Sequence, residues 1–428
     1  MSVGPLSAVR CPRLALAATA CLIGLLCSSQ ALQPRPASAP QTTADGPTFV
    51  LETVSGESYR GPLAQLRESW TVRLGPPRRL RRDGDAWLTL RRADLPLPPH
   101  PDDPHLILTN DDRLPVAAAS LKLAGERLTF TNPLLAKGNA ARLPLSVVSV
   151  LWLVAPDDVG DAEYFRRKLL AERRQHDVVV LRNGDILEGV LAQIEPRRLR
   201  IEVARRNVDV DLAKVAVVAF SSELATVPRP RGTYGRVVLT DGTRLSLQSA
   251  ECADGETLTG TTVLDAEVRV PVEQVAALDL HQGRAVYLSD LKPLRYEHTP
   301  YLGLAWPLVI DGSVAGRALR LAGAVYDKGL GMHSACRVTY ALPTGCQRFE
   351  ARVGLDDQTG RRGSVGVRVL VDGKERDLGL KTDLTRRNSP LTVRVDLAGA
   401  KELTLVVDFG AGGDVGDHVN WVDARIVK

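Results

Sequence analysis

In a chain of 428 residues with few aromatics, the side chains best suited to chemistry gather in the last third. His333 and His418 each offer a ring donor and a ring acceptor. That suits a hydroxyl-rich ligand or, if the rings converge, a metal ion; buried rings that hold loops together are the alternative. Trp421 presents a flat apolar face, fit for the carbon side of a pyranose, and an indole N–H. Val422 and Ala424 alternate with Trp421 and Asp423, which leaves open whether Trp421 faces core or solvent. Gly329 and Gly331 permit a close turn that brings Lys328 and His333 to one rim, or simply shape a loop between strands. Asp356, Asp357, Asp417 and Asp423 are oxygen donors in loops or at strand ends, suited to hydroxyls, to a hard cation, or to turn formation.

Catalytic patterns are missing. The sequence has no His-Glu-x-x-His motif, no Gly-x-Ser-x-Gly elbow and no Gly-Lys-Ser or Gly-Lys-Thr loop. A glycosidase needs two carboxylates held across a cleft on a substantial scaffold, and no stretch of the chain is large enough for one. The expectation is a protein that is not an enzyme. Net charge is +5, with 55 basic residues against 50 acidic ones, so charge gives nucleic-acid binding no support. The Arg-rich runs 78–82 and 197–206 read as solvated faces or as contacts to an anionic polymer.

These residues need strands to position them. From Tyr287 onward, alternating segments lie at Val338 to Leu342, Phe349 to Leu355, Ser364 to Val371, Leu391 to Leu397 and Leu403 to Phe409. Trp421 to Val427 closes the set. Glycine- and Asp-rich loops separate them and no helix intervenes, the pattern of a jelly-roll β-sandwich. The preceding two thirds repeat one phrase four times: apolar run, polar turn, second apolar run. The clearest copies are Val178 to Gly189, turning at Asn183-Gly184, and Val237 to Leu245, turning at Asp241-Gly242, dipeptides that favour tight hairpins. Weaker copies are Phe49 to Leu63, turning at Ser55-Gly56, and His105 to Leu114, turning at Asn110-Asp111-Asp112. Each copy reads as about five short strands, too few for two packed sheets but enough to close a small barrel. An insertion from Asp157 to His176 places Tyr164, Phe165, Leu169 and Leu170 at helical intervals, as a rigid spacer or a cap across a barrel mouth.

The hairpin phrase resembles that of Sm-like small barrels, in tandem from Phe49 to Gln282. RNA binding by intracellular relatives is not carried over, because the basic stripe is missing; spacers or protein-contact surfaces are expected. Tyr326-Asp327-Lys328-Gly329-Leu330-Gly331-Met332-His333-Ser334, Val353 to Asp357, Gly363-Ser364-Val365, Val371-Asp372-Gly373 and Asp417 to Ala424 are more specific. In that order they resemble the NPCBM type of carbohydrate-binding module, similar to that of family 98 glycoside hydrolases and related to galactose-binding jelly rolls. Met332 and Asn420 depart from the usual residues. The resemblance implies a glycan site drawn from Lys328, His333, Asp356, Asp357, Asp417, His418, Asn420 and Trp421. It also implies a structural calcium ion, as in related jelly rolls, with Asp356, Asp417 and Asp423 as donors; no cofactor is otherwise expected.

Residues 1–31 read as a signal peptide: Arg10 and Arg13, an apolar stretch from Leu14 to Leu26, then Ser29-Gln30-Ala31 for cleavage. A secreted or periplasmic protein is expected, with the uncleaved segment as an anchor the alternative. Cleavage leaves Cys252, Cys336 and Cys346. The last two flank a strand and a turn, as a local disulfide or as two buried thiols on adjacent strands. The expected all-β division is a linker at 32–48, small barrels at 49–100, 101–156, 177–230 and 231–284 around the helical insertion 157–176, and the sandwich at 287–428. Expected partners are a glycan and other exported proteins, with no nucleic acid and no membrane span after cleavage. The alternative function is an extracytoplasmic assembly protein that uses the repeats and has lost sugar binding.

Overall fold

A computed structural model of the chain describes residues 46–428 apart from 77–79, 103, 136–139, 302 and 361. The signal-peptide reading, most of the linker, and Arg78 and Arg79 lie outside the described residues. The described residues form strands, short 3-10 turns and one α-helix, Ala162–Ala171.

Each repeat opens on its hairpin. In three of them a glycine holds the left-handed place in the turn, with φ of 86° at Gly56, 87° at Gly184 and 89° at Gly242. In the second repeat Asp111 takes that place with φ 65°, which Asp tolerates better than most side chains. Its carboxylate is then used: Arg113 Nη2 donates to Oδ1 at 3.0 Å. In the fourth repeat the path runs through Tyr234–Leu239, Arg244–Glu251, Thr257–Thr262 and Glu267–Pro271, then a 3-10 turn, into Val275–His281. That last strand returns beside the first, Val237 opposite Leu278. The other repeats do the same, with Leu51 opposite Leu90, Ile107 opposite Val150, and Val179 opposite Val218.

The repeats are nested. The last strand of the first, Trp87–Arg92, pairs with the last strand of the fourth through Leu90 and Leu278. The last strand of the second, Val148–Trp152, pairs with that of the third, Val215–Ala219, through Leu151 and Val218. Further pairings, Leu66 with Cys252 and Leu123 with Ile194, tie each couple together a second time. The apolar residues follow the pairing: Phe49, Leu51 and Leu90 cluster with Val237, Leu247 and Leu278, and Leu106, Phe130 and Leu151 cluster with Val179, Ile201 and Val218. Four units, three of five strands and the second of six, thus share two cores, each unit closing against a partner where the sequence reading had each closing alone. Size favours this, because a unit of about 50 residues buries only enough apolar surface for a marginal core of its own.

Two-sided burial explains the last strands. Val215–Ala219 is buried at every position, since its outer face meets Trp152 and Leu169, and a run without alternation is what a strand covered on both faces requires. The helix supplies that cover. Asp161 caps it by accepting from the Tyr164 N–H at 3.0 Å, and Phe165 packs on Trp152 with ring centroids 6.3 Å apart. Its other side reaches the C-terminal domain: Arg317 Nε donates to Asp161 at 2.5 Å and Arg167 Nη1 to the Asp311 carbonyl at 2.8 Å. The insertion is a wedge between two packed bodies.

The C-terminal domain is a sandwich. One sheet has the order Val309–Ile310, Gly329–His333, His418–Val427, Arg348–Leu355, Leu391–Asp396; the other has Arg295–His298, Cys336–Ala341, Glu402–Phe409, Ser364–Val371, Lys374–Arg376. Met332, Tyr340, Phe349 and Trp421 lie in the core between them. The sandwich docks on the first repeat, where Val54 and Leu88 meet Ala285 and Val427. Around this contact Arg91 bridges Asp279 at 2.7 Å and Asp423 at 2.8 Å, and Arg425 bridges Glu52 at 2.8 Å and Glu350 at 3.0 Å.

Cys336 and Cys346 are free, buried thiols, which corrects the disulfide reading. From Cys336 the chain runs extended to Ala341, about 17 Å on, then crosses to the opposite sheet at Arg348 instead of doubling back. Cys346 packs beside the Leu397 carbonyl at 3.8 Å. A disulfide needs Cα atoms within about 7 Å.

Candidate functional site

The residues singled out in the sequence do not share one rim. Gly329–His333 is a strand, so Lys328 and His333 stand at opposite ends of it, about 16 Å apart; the close-turn reading is corrected. The glycines are there for close packing: a Cβ at Gly329 would strike the Trp421 carbonyl, and one at Gly331 the Gly312 carbonyl. Lys328 Nζ donates to Asp290 at 2.6 Å and Asp311 at 2.9 Å. Burial alone would lower its pKa, yet Asp311 and Asp290 hold the ammonium above its ordinary range.

Trp421 is wholly buried, its ring 6.4 Å from Phe349, so it is core and not a sugar platform. A bulge defeats the simple alternation. The pairing slips opposite Glu350 and Arg352, Asp423 takes a left-handed φ of 50°, and Trp421 and Ala424 both turn into the main core while Val422 joins a separate cluster. Asp423 is thereby aimed at Arg91. Asn420 and Asp356 are also fully buried: Asn420 Nδ2 donates to Asp356 Oδ2 at 3.0 Å and to the Arg320 carbonyl at 3.1 Å. Asp357 accepts from the N–H groups of Ala322 at 3.1 Å and Gly323 at 2.7 Å. Asp417 accepts from Ser334 Oγ at 2.6 Å and from the Ser364 N–H at 3.0 Å.

The implied calcium ion does not fit this donor set. Asp356, Asp417 and Asp423 spend their oxygens on separate partners, and among the described residues no group of three or more His, Cys, Asp or Glu side chains is placed to hold a metal.

Besides the buried Asn420–Asp356 pair, His333 and His418 come together, with ring centroids 5.4 Å apart. Two residues that the sequence reading missed complete the group. The Trp306 indole lies 4.6 Å from the His333 ring with the planes 8° apart, and 5.4 Å from His418. Its backbone is clamped on both sides: the N–H donates to His298 Nδ1 at 3.4 Å, and the carbonyl accepts from the Tyr296 hydroxyl at 2.7 Å. His298 Nε2 and His333 Nδ1 face the Ser334 carbonyl at 3.2 and 2.8 Å. A carbonyl can only accept, so both nitrogens carry protons, and the neutral His333 ring keeps Nε2 as an acceptor.

Burial pushes His418 down to about 4, helped by His333, and burial lowers His333 as well. At neutral pH both rings are uncharged. Tyr301, Leu304 and Val415 are exposed nearby in sequence, and Tyr301 meets Phe409 edge-on at 5.3 Å. A half-buried indole with uncharged ring donors and acceptors has the chemistry to hold a pyranose. One signal for Trp306 was legible: in an aromatic-poor chain it sits in the segment 302–307, which lacks strand alternation and carries Gly303 and Pro307.

The last third is thus a β-sandwich set on an all-β repeat region. Residues 284–427 match the NPCBM/NEW2 domain; the C-terminal domain is of the NPCBM type. A Renibacterium salmoninarum protein named "Putative endo-alpha-N-acetylgalactosaminidase" is 30% identical over 112 residues, 26% of this chain. The chain spans only 7% of the length of that relative. Similar solved structures include the CBM51 module from Clostridium perfringens GH95 in complex with methyl-galactose, at 27% identity and TM-score 0.30, covering 33% of this chain and 99% of that one. The tandem CBM51 modules of the Streptococcus pneumoniae SP3-BS71 family 98 glycoside hydrolase show 13% identity and TM-score 0.30, covering 61% of this chain and 91% of that one.

Proposed function

We propose that this chain is an exported, non-catalytic glycan-binding protein whose C-terminal module holds a sugar at Trp306 and His418, with the buried His333 ring backing the indole. The observation that carries the reading is the parallel stack of Trp306 on His333, with the backbone of Trp306 fixed before any ligand arrives. Such preorganisation lowers the ordering cost of binding. The match of residues 284–427 to the NPCBM/NEW2 domain supports the same ligand class. The non-catalytic reading is supported by Asp417, the acid nearest in sequence to His418: it is fully buried and committed to Ser334 and Ser364, and so is not free to serve as a glycosidase acid or nucleophile. Export rests on the apolar segment and cleavage pattern of residues 1–31.

A single shallow sugar site is weak, since a millimolar constant is only about −4 kcal/mol, so clustering of copies on a polymer would set the working affinity. The test is a glycan array followed by calorimetry on the chain, with N-acetylgalactosaminides included because the Renibacterium relative is named for them. Binding that Trp306→Ala weakens at least tenfold supports the proposal. Silence across the array, or binding indifferent to Trp306→Ala, sinks it.

A further inference from the structure

A cleft of about 510 Å³ opens where the second and fourth repeats meet the sandwich. Its walls include Tyr234, Arg236 and His281 from the repeats, and Asp290, Asp327 and Lys328 from the sandwich. The volume falls in the range of about 300–1,000 Å³ that holds small ligands. None of these residues belongs to the Trp306 cluster.

Arg236 is nine-tenths buried. Its Nη atoms donate to the carbonyls of Asn110 and Asp111, but its Nε has no partner. A buried donor left unmade is costly; this one is itself covered, so a ligand in the cleft reaches it only if the side chain shifts. His281 lies between Tyr234 and Tyr287, with ring centroids 5.2 and 5.3 Å away, and burial keeps it uncharged at neutral pH.

Apart from Arg229, which is exposed on the wall, the charges in the cleft are already matched. Asp327 pairs with Arg244, Lys328 with Asp290 and Asp311, and Arg236 with Asp111 and Asp112. Past Arg229, an ionic ligand would find its counter-charge engaged. Hydroxyl groups, which donate to carboxylates and accept from a guanidinium N–H, would not. Val227, Pro228 and the Tyr234 ring add apolar wall for a carbon face.

We propose that this interdomain cleft is a second binding site, for a neutral mono- or disaccharide, independent of the cluster on the sandwich. The experiment is calorimetric titration of the full chain with glucose, galactose, N-acetylglucosamine and lactose. It is repeated on Val227→Trp, which plugs the cleft from a residue 59% exposed, on Tyr234→Leu, and on Trp306→Ala. The expected result is a saccharide isotherm that persists in Trp306→Ala and weakens at least tenfold in both cleft variants, with the unfolding temperature of Val227→Trp unchanged. No binding by the wild type, binding abolished by Trp306→Ala, or binding untouched by the cleft variants overturns it. Loss in the cleft variants without any effect of Trp306→Ala retains this site and removes the one on the sandwich.

Discussion

Arg244, fully buried in the fourth repeat, donates from Nε and Nη2 to the two oxygens of Asp327 at 3.2 and 3.1 Å. Its remaining N–H groups go to the carbonyls of Pro98, Pro99 and Gly242. Burial would raise the Asp327 pKa, yet Arg244 and Arg236 pull it to about 2. The acid that opens the Asp327-Lys328 signature is therefore a docking residue, joining the sandwich to the fourth repeat.

Removing one partner strands a buried charge. Arg244→Met or Asp327→Asn should cost about 3–5 kcal/mol in urea unfolding. The double change Arg244→Met with Asp327→Leu should recover much of that loss, because neither charge then remains to be compensated. Single variants within about 1 kcal/mol of wild type would mean that solvent reaches the pair.

The two tryptophans of the module separate stability from binding. Trp421→Ala opens a cavity in the sandwich core and should cost about 3–5 kcal/mol. Trp306→Ala removes a half-buried loop side chain, and should leave the melting temperature nearly unchanged while weakening glycan binding at least tenfold. Calorimetry and thermal melts on the same preparations decide it; the reverse pattern exchanges the roles.

Strands and hairpins were legible because their signals are local: the turn glycines at 56, 184 and 242 adopt the left-handed conformation that tight hairpins need. The module was legible from ordered blocks. What escaped was what sequence spacing cannot carry. The bulge at Asp423 turned Trp421 inward, Gly329–His333 ran straight and parted Lys328 from His333, and Leu90 met Leu278 across nearly the whole repeat region. Trp306 was overlooked because it lies outside every signature block, although its loop setting marked it as unlike a core residue.

The thiols predict silence toward oxidants. Burial pushes Cys336 up to about 12 and raises Cys252 and Cys346 as well, so almost no thiolate is present near pH 8. In the native chain these three should resist a thiol reagent that titrates them in guanidinium, and reductant should leave the melting temperature unchanged. A reductant-dependent melt would restore the disulfide.

The histidine cluster predicts a pH window. His418 falls from the ordinary 6.5 to about 4, so between those values the unfolded chain binds a proton that the folded ring refuses. The contribution of the neutral ring is complete above pH 6.5, declines as pH falls, and is lost by about pH 4. Asp356 and Asp417, with raised pKa values, act in the opposite sense as acid neutralises them. His418→Gln isolates the histidine: between pH 6.5 and 4 its melting temperature should fall less than that of the wild type. Parallel curves would remove the assignment.

Nesting of the repeats predicts how the chain can be divided. Leu51 and Leu90 of the first repeat are fully buried in a cluster supplied largely by the fourth. Expressed alone, residues 46–100 would expose that face and leave the last strand without its neighbour Val275–His281. An unpaired apolar edge of this kind does not stay folded in water. The fragment should show no cooperative unfolding by circular dichroism, and mixing it with residues 231–428 should restore strand signal at one-to-one stoichiometry, since both the shared core and the Arg91 bridge to Asp423 return together. A fragment 46–100 that folds by itself would instead return the arrangement of four independent barrels.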